Sequence, residues 1–166
     1  MSPATFDPYA VFHELDRARA TYIVIGALAR VLQGSDEVTQ GFDLTPSLRP
    51  QNLERLGRAL ESLEALRVDG KPLDVSHLDP AREPVVELTS PAGEIKIVPE
   101  PVGTRGYDDL RRRRMRLPLG EGLRPDVASP GDLVRMLESL GREQDISTVA
   151  MMRRVVELDR GLELGL

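Results

Sequence analysis

The segment Tyr22-Ile23-Val24-Ile25-Gly26 constrains this chain more than any other. Three consecutive β-branched residues after a tyrosine are the signature of a buried strand. Gly26 ends that strand, and Ala27 to Leu32 reads as a short helix stopping near Gly34. A strand that passes through a glycine into a helix brings backbone close to the helix amino terminus, where a phosphate can also approach. The plainer reading is steric, because most such junctions need a glycine simply to turn.

Around this unit the pattern alternates between the two periodicities. Phe12, Leu15 and Arg19 follow Pro8 at helical spacing and predict a helix over 8–20. Phe42-Asp43-Leu44 reads as a short strand ended by Pro46, and Leu53, Leu56, Leu60 and Leu63 mark one face of a helix opened by Pro50. Leu73 to Ser76, Val85 to Thr89 and Glu94 to Val98 are candidate strands, the last two joined by a turn at Pro91-Ala92-Gly93. Tyr107 to Met115 reads as a helix. Ser129-Pro130-Gly131-Asp132 is a helix start, with Leu133, Leu137 and Leu140 on one face and Gly141 as the stop. A last helix is expected over 146–158.

This order predicts an α+β fold with a mixed sheet flanked by helices. The 166 residues suit a single domain, with an α+β core over 1–126 and carboxyl-terminal helices over 127–166. The absence of cysteine excludes disulfides and cysteine-ligated metal. The longest apolar run, Tyr22 to Ala29, is far short of the roughly 20 residues that cross a membrane. With no basic, apolar leader at the amino terminus, the expected compartment is the cytosol. The net charge of −5 argues against a generally basic nucleic-acid coat but leaves room for a local patch. Of the 22 basic residues, all but Lys71 and Lys96 are arginine.

Three blocks in order carry a resemblance. The first is Ile25-Gly26-Ala27, Gly34-Ser35 and Gly41-Phe42-Asp43. The second runs from Leu88 through Lys96 to Val98 and on through Gly103-Thr104-Arg105-Gly106-Tyr107-Asp108-Asp109-Leu110. The third is Val127-Ala128-Ser129, Asp132 to Met136, then Gly141-Arg142-Glu143-Gln144-Asp145. Together they resemble the nucleotidyltransferase fold of the DNA polymerase β superfamily, and within it the small bacterial toxin-type AbiEii/MenT-like group.

The resemblance implies nucleotide-binding roles for Gly26, Ala27, Ser35, Arg142 and Asp145. It also implies three metal-holding acids on two strands. Here the first of those positions is Gly41, the second is Asp43, and the third is Lys96. The lysine that active members carry in the capped helix falls at Leu137, and an arginine before the Asp-x-Asp strand falls at Glu37. A lone aspartate beside a cation is a poor magnesium site. The expectation is a degenerate member with no required cofactor, acting through a nucleotide, RNA or a cognate antitoxin-like or helix-turn-helix protein. The alternative is an active, magnesium-dependent transferase with Asp43 catalytic and a displaced acid at Asp36 or Glu37.

Several positions admit two readings. Lys96 either pairs with Asp43 in the former metal site or points to solvent from an edge strand. Arg142 and Asp145 either contact a nucleotide or form a helix junction with Asp145 as a cap. Arg111-Arg112-Arg113-Arg114 with Arg116 is either a phosphate-binding run or a solvated, ion-paired segment. Met151, Met152, Val155 and Val156 either pack on the domain or face a partner. His13 and His77 have no partner pattern and read as structural or surface residues.

Overall fold

The computed structural model describes residues 5–163. The chain opens with α1 (Pro8–Arg17), whose first turn is closed by the Asp7 carboxylate accepting from the Ala10 amide at 3.2 Å. It ends before the expected Ala20 because Arg19 takes a left-handed φ of 59°. β1 (Tyr22–Ile25) then runs into α2 (Gly26–Leu32), β2 (Gly41–Pro46) and α3 (Pro50–Ser62). β3 (Leu66–Arg67), β4 (Val86–Ser90) and β5 (Gly93–Ile97) follow, with Pro91 and Ala92 as the hairpin loop.

Next come α4 (Tyr107–Leu110), β6 (Met115–Arg116) and β7 (Asp126–Val127). The chain closes with α5 (Pro130–Leu140), a 3-10 turn over Glu143–Asp145 and α6 (Ile146–Glu163). The start of α5 is built as its sequence predicts: Ser129 accepts from the Asp132 amide at 3.1 Å, and Gly141 takes the left-handed conformation at its end.

The seven strands form one mixed sheet in the order β3-β4-β5-β2-β1-β7-β6. β2 lies antiparallel to β1 and parallel to β5, and β7 lies parallel to β1. Strand alternation sends Phe42, Leu44, Ile95 and Ile97 into the core. Phe12 of α1 meets Phe42 edge-on with ring centroids 4.8 Å apart. No helix among the described residues is long and apolar enough to cross a membrane.

Three expectations are corrected. Leu73 to Ser76 is not a strand: Asp74 accepts from both the amide and the hydroxyl of Ser76, a local turn that competes with sheet pairing. The edge strand is instead the two-residue β3. The helix expected over 107–115 stops at Leu110, because the Arg112 and Arg113 amides bond three residues back and the chain then enters β6. The division after residue 126 cuts through β7, since Val127 pairs with Val24 and the helical part begins at Pro130. Met152 is fully buried and Val155 packs on the core, so α6 is seated on the domain through that face.

Candidate functional site

β1 and β2 are in a register that sets Asp43 opposite Ile25, the last residue before Gly26. Gly26 has φ +71°, and a β-carbon there would stand 2.5 Å from Asp43 Oδ2. The glycine of the strand–helix unit therefore serves two needs, a left-handed turn and room for the Asp43 carboxylate. Gly26→Ala is expected to destabilise the protein by about 1–3 kcal/mol from backbone strain alone, before the clash is counted. Thermal melts check this: an unchanged midpoint would mean that Asp43 swings aside and the turn is not strained.

On the next strand, Asp43 faces Lys96 in parallel register, and Lys96 faces Glu87 of β4. The three charges form a row across one face of the sheet, acid, base, acid. β5 is an internal strand, so Lys96 is not the solvent-directed lysine of a sheet edge, and it is half-buried. No ion pair within 4.0 Å joins it to either carboxylate. Its charge is still felt. Burial pushes the Asp43 carboxyl pKa up, and Lys96 and Arg30 pull it back only in part.

These residues line a cleft of about 390 Å³. Gly26, Ala27, Arg30, Asp43, Glu87, Lys96 and Arg142 supply its polar surface. Leu133, Met136, Leu137 and Leu140 of α5 supply an apolar wall. Leu137 is buried in that wall and brings no charge to the cleft.

The structure therefore brings together five of the positions read from sequence: Gly26, Ala27, Asp43, Lys96 and Arg142. Ser35 is buried outside the cleft, where its hydroxyl donates to Glu37 at 2.7 Å. Glu37 also accepts two bonds from Arg30, at 2.8 and 2.9 Å. Burial alone would raise the Glu37 carboxyl, but the Arg30 and Ser35 bonds outweigh it and hold the pKa down. Glu37 is thus committed to an ion pair. Asp145 is buried and accepts from Arg142 Nε at 2.6 Å, lining a groove between α5 and α6 rather than the cleft.

Gly41 offers no side chain. The neighbouring carboxylate is Glu94, in register with Gly41, and its Oε2 lies 3.8 Å from where a β-carbon at 41 would stand. The sequence places Glu87 and Glu94 on strands but marks neither as a site residue. The two-residue turn at Pro91-Ala92 was the available signal, because it sets Glu87 opposite Lys96 and Thr89 opposite Glu94.

Paired magnesium ions need converging carboxylates. Among the described residues no group of three or more histidines or acids is arranged to hold a metal. Lys96 adds a cation beside Asp43, and the residues present do not fit a two-metal site.

The arginine run is largely spent on ion pairs. Arg113 bonds Asp109 and buried Asp132 at 2.7 and 3.0 Å, while Arg114 and Arg116 share Asp126 at 3.0 and 3.1 Å. Arg135 joins the Asp109–Asp132 group, tying α4 to α5.

This mixed sheet, with a strand–glycine–helix unit beside a cleft aspartate, is a nucleotidyltransferase-like α+β fold. A crystal structure of a Thermotoga maritima protein, provisionally named a nucleotidyltransferase, superimposes with a TM-score of 0.54 at 15% identity, over 89% of this chain and 90% of that one. No protein-family model matches the sequence, and no curated protein matches it.

Proposed function

We propose that this chain is a degenerate nucleotidyltransferase that acts through binding rather than transfer, with a nucleotide or RNA phosphate in the cleft. The observation that carries this reading is the Asp43–Lys96–Glu87 row, which puts a fixed cation where a metal pair would need a carboxylate. Lys96, Arg30 and Arg142 on the cleft wall suit an anion, and the α5 wall suits an apolar or aromatic body beside it. Kinship with the toxin-type AbiEii/MenT-like group, and with it a cognate antitoxin-like or helix-turn-helix partner, belongs to the same proposal.

One observation favours a second reading, an active metal-dependent enzyme moving a nucleotide from a triphosphate onto RNA or protein. Glu94 beside Gly41 is a displaced carboxylate within electrostatic reach of Asp43. One experiment separates the two. The protein is incubated with each labelled nucleoside triphosphate, magnesium or manganese, and total RNA. The expected result is no label on RNA or protein, with nucleotide binding that survives chelation. Transfer that disappears in both Asp43→Ala and Glu94→Gln would replace the first reading with the second.

A further inference from the structure

The opposite end of β1 and β2 carries a second polar pocket, about 10 Å along the strand from the Gly26 end. Its volume is about 220 Å³, and it is lined by Ser47, Arg49, Arg55, Tyr107 and Arg111 among others. That is smaller than the roughly 300 Å³ at which drug-sized pockets begin, so it suits a small group.

Three features of this pocket point to an anion. The first is charge. Arg49 and Arg55 make no ion pair with any described residue, and Arg111 has only an exposed Asp108 at 3.4 Å. Such an exposed pair is worth at most about 1 kcal/mol and yields readily to a better anion.

The second is the start of α3. Arg49 occupies the N-cap, where serine, threonine or aspartate would normally accept a helix amide, and it makes no capping bond. No acid lies in the first turn. A cation at the positive end of a 13-residue helix is unfavourable unless an anion sits between them.

The third is Ser47. It is only 7% exposed, and its hydroxyl makes no hydrogen bond to a described residue. Its backbone is fully used, the amide donating to Thr21 and the carbonyl accepting from Asn52. Asn52 is likewise spent on Thr21 and Ser47, which fixes the pocket floor. That hydroxyl is not sealed from solvent, so on the pocket wall it is a donor open to a ligand oxygen.

We propose that this pocket is a phosphate-monoester site. Three guanidiniums against one carboxylate leave a surplus of two positive charges, which matches a dianionic monoester. The amide of Gln51 in the first turn and the Ser47 hydroxyl donate to its oxygens, and the arginines close over it.

The test uses the whole chain and three probes: inorganic phosphate, adenosine 5′-monophosphate and adenosine. Calorimetry is expected to show saturable binding of the first two and none of the third. Arg55→Gln and Ser47→Ala should each weaken phosphate about tenfold, the equivalent of 1.4 kcal/mol, while Arg58→Gln outside the pocket changes it less than about twofold. Amide shifts on phosphate addition should fall on Gln51 and Asn52. Tighter binding of a 5′-phosphorylated than of a 5′-hydroxyl oligoribonucleotide assigns the phosphate to an RNA end; equal binding assigns it to a free monoester. Adenosine binding as tightly as its monophosphate, unchanged phosphate affinity in both pocket variants, or shifts confined to Gly26 and Ala27 would each overturn the proposal. The last of these outcomes would leave the cleft reading intact.

Discussion

Asp132→Ala is expected to cost about 1.5–3 kcal/mol of unfolding free energy, the range for losing hydrogen bonds to a charged group. The Asp132 side chain is 6% exposed and holds Arg113 at 3.0 Å and Arg135 at 3.3 Å. Arg135 Nε is already buried without a partner, so this group has no slack to absorb another loss. Asp132 also stands in the first turn of α5, where a negative charge favours the helix. Arg116→Ala makes the contrast. Its side chain is 61% exposed, and its pair with Asp126 should be worth no more than about 1 kcal/mol. Urea denaturation of both variants measures the difference. A loss under about 1 kcal/mol for Asp132→Ala would show that the arginine–aspartate group is solvated decoration rather than the joint between α4 and α5.

Lys96→Asp is expected to create manganese binding in the cleft. In the native chain Asp43 already titrates above its unfolded value, so its charge opposes folding as pH rises through that interval. Replacing Lys96 removes the opposing cation and sets a second carboxylate on the adjacent parallel strand, roughly 4.8 Å away at the backbone. Each carboxylate raises the pKa of the other. The folded variant then holds protons that the unfolded chain has released, so its stability must fall between about pH 4 and neutrality. Manganese should reverse that loss by about 2.7 kcal/mol at one hundred times its dissociation constant. Thermal melts across pH, with and without manganese, read both effects. A variant as stable at pH 7 as at pH 4, with no response to manganese, would show that the two side chains diverge.

Much of this arrangement was legible before any coordinates. The turn at Pro91-Ala92-Gly93, the capped start at Ser129 and the left-handed stop at Gly141 are short-range chemistry, and each stands where its residues predict. The strand–glycine–helix unit was legible for the same reason. β6 and β7 were not, because two-residue strands have no period to detect and exist only through their pairing with β1 and each other. The arginine run was ambiguous because the acids that absorb it lie elsewhere in sequence. Asp126 takes Arg114 and Arg116 from ten or more residues away, and Asp132 takes Arg113 from nineteen.

The site divides along the same line. By itself the sequence determined that positions 41 and 96 hold a glycine and a lysine, that cysteine chemistry is excluded, and that one aspartate stands on a short strand at 43. Only the tertiary structure decided what surrounds them. It put Lys96 between Asp43 and Glu87, set Glu94 beside Gly41, locked Glu37 onto Arg30, and brought Arg49, Arg55, Arg111 and Ser47 to the wall of one pocket. The physical reason is range. Periodicity, caps and turns are set by neighbours within about a helical turn, whereas cross-strand register and pocket charge depend on contacts made only once distant segments have closed on one another.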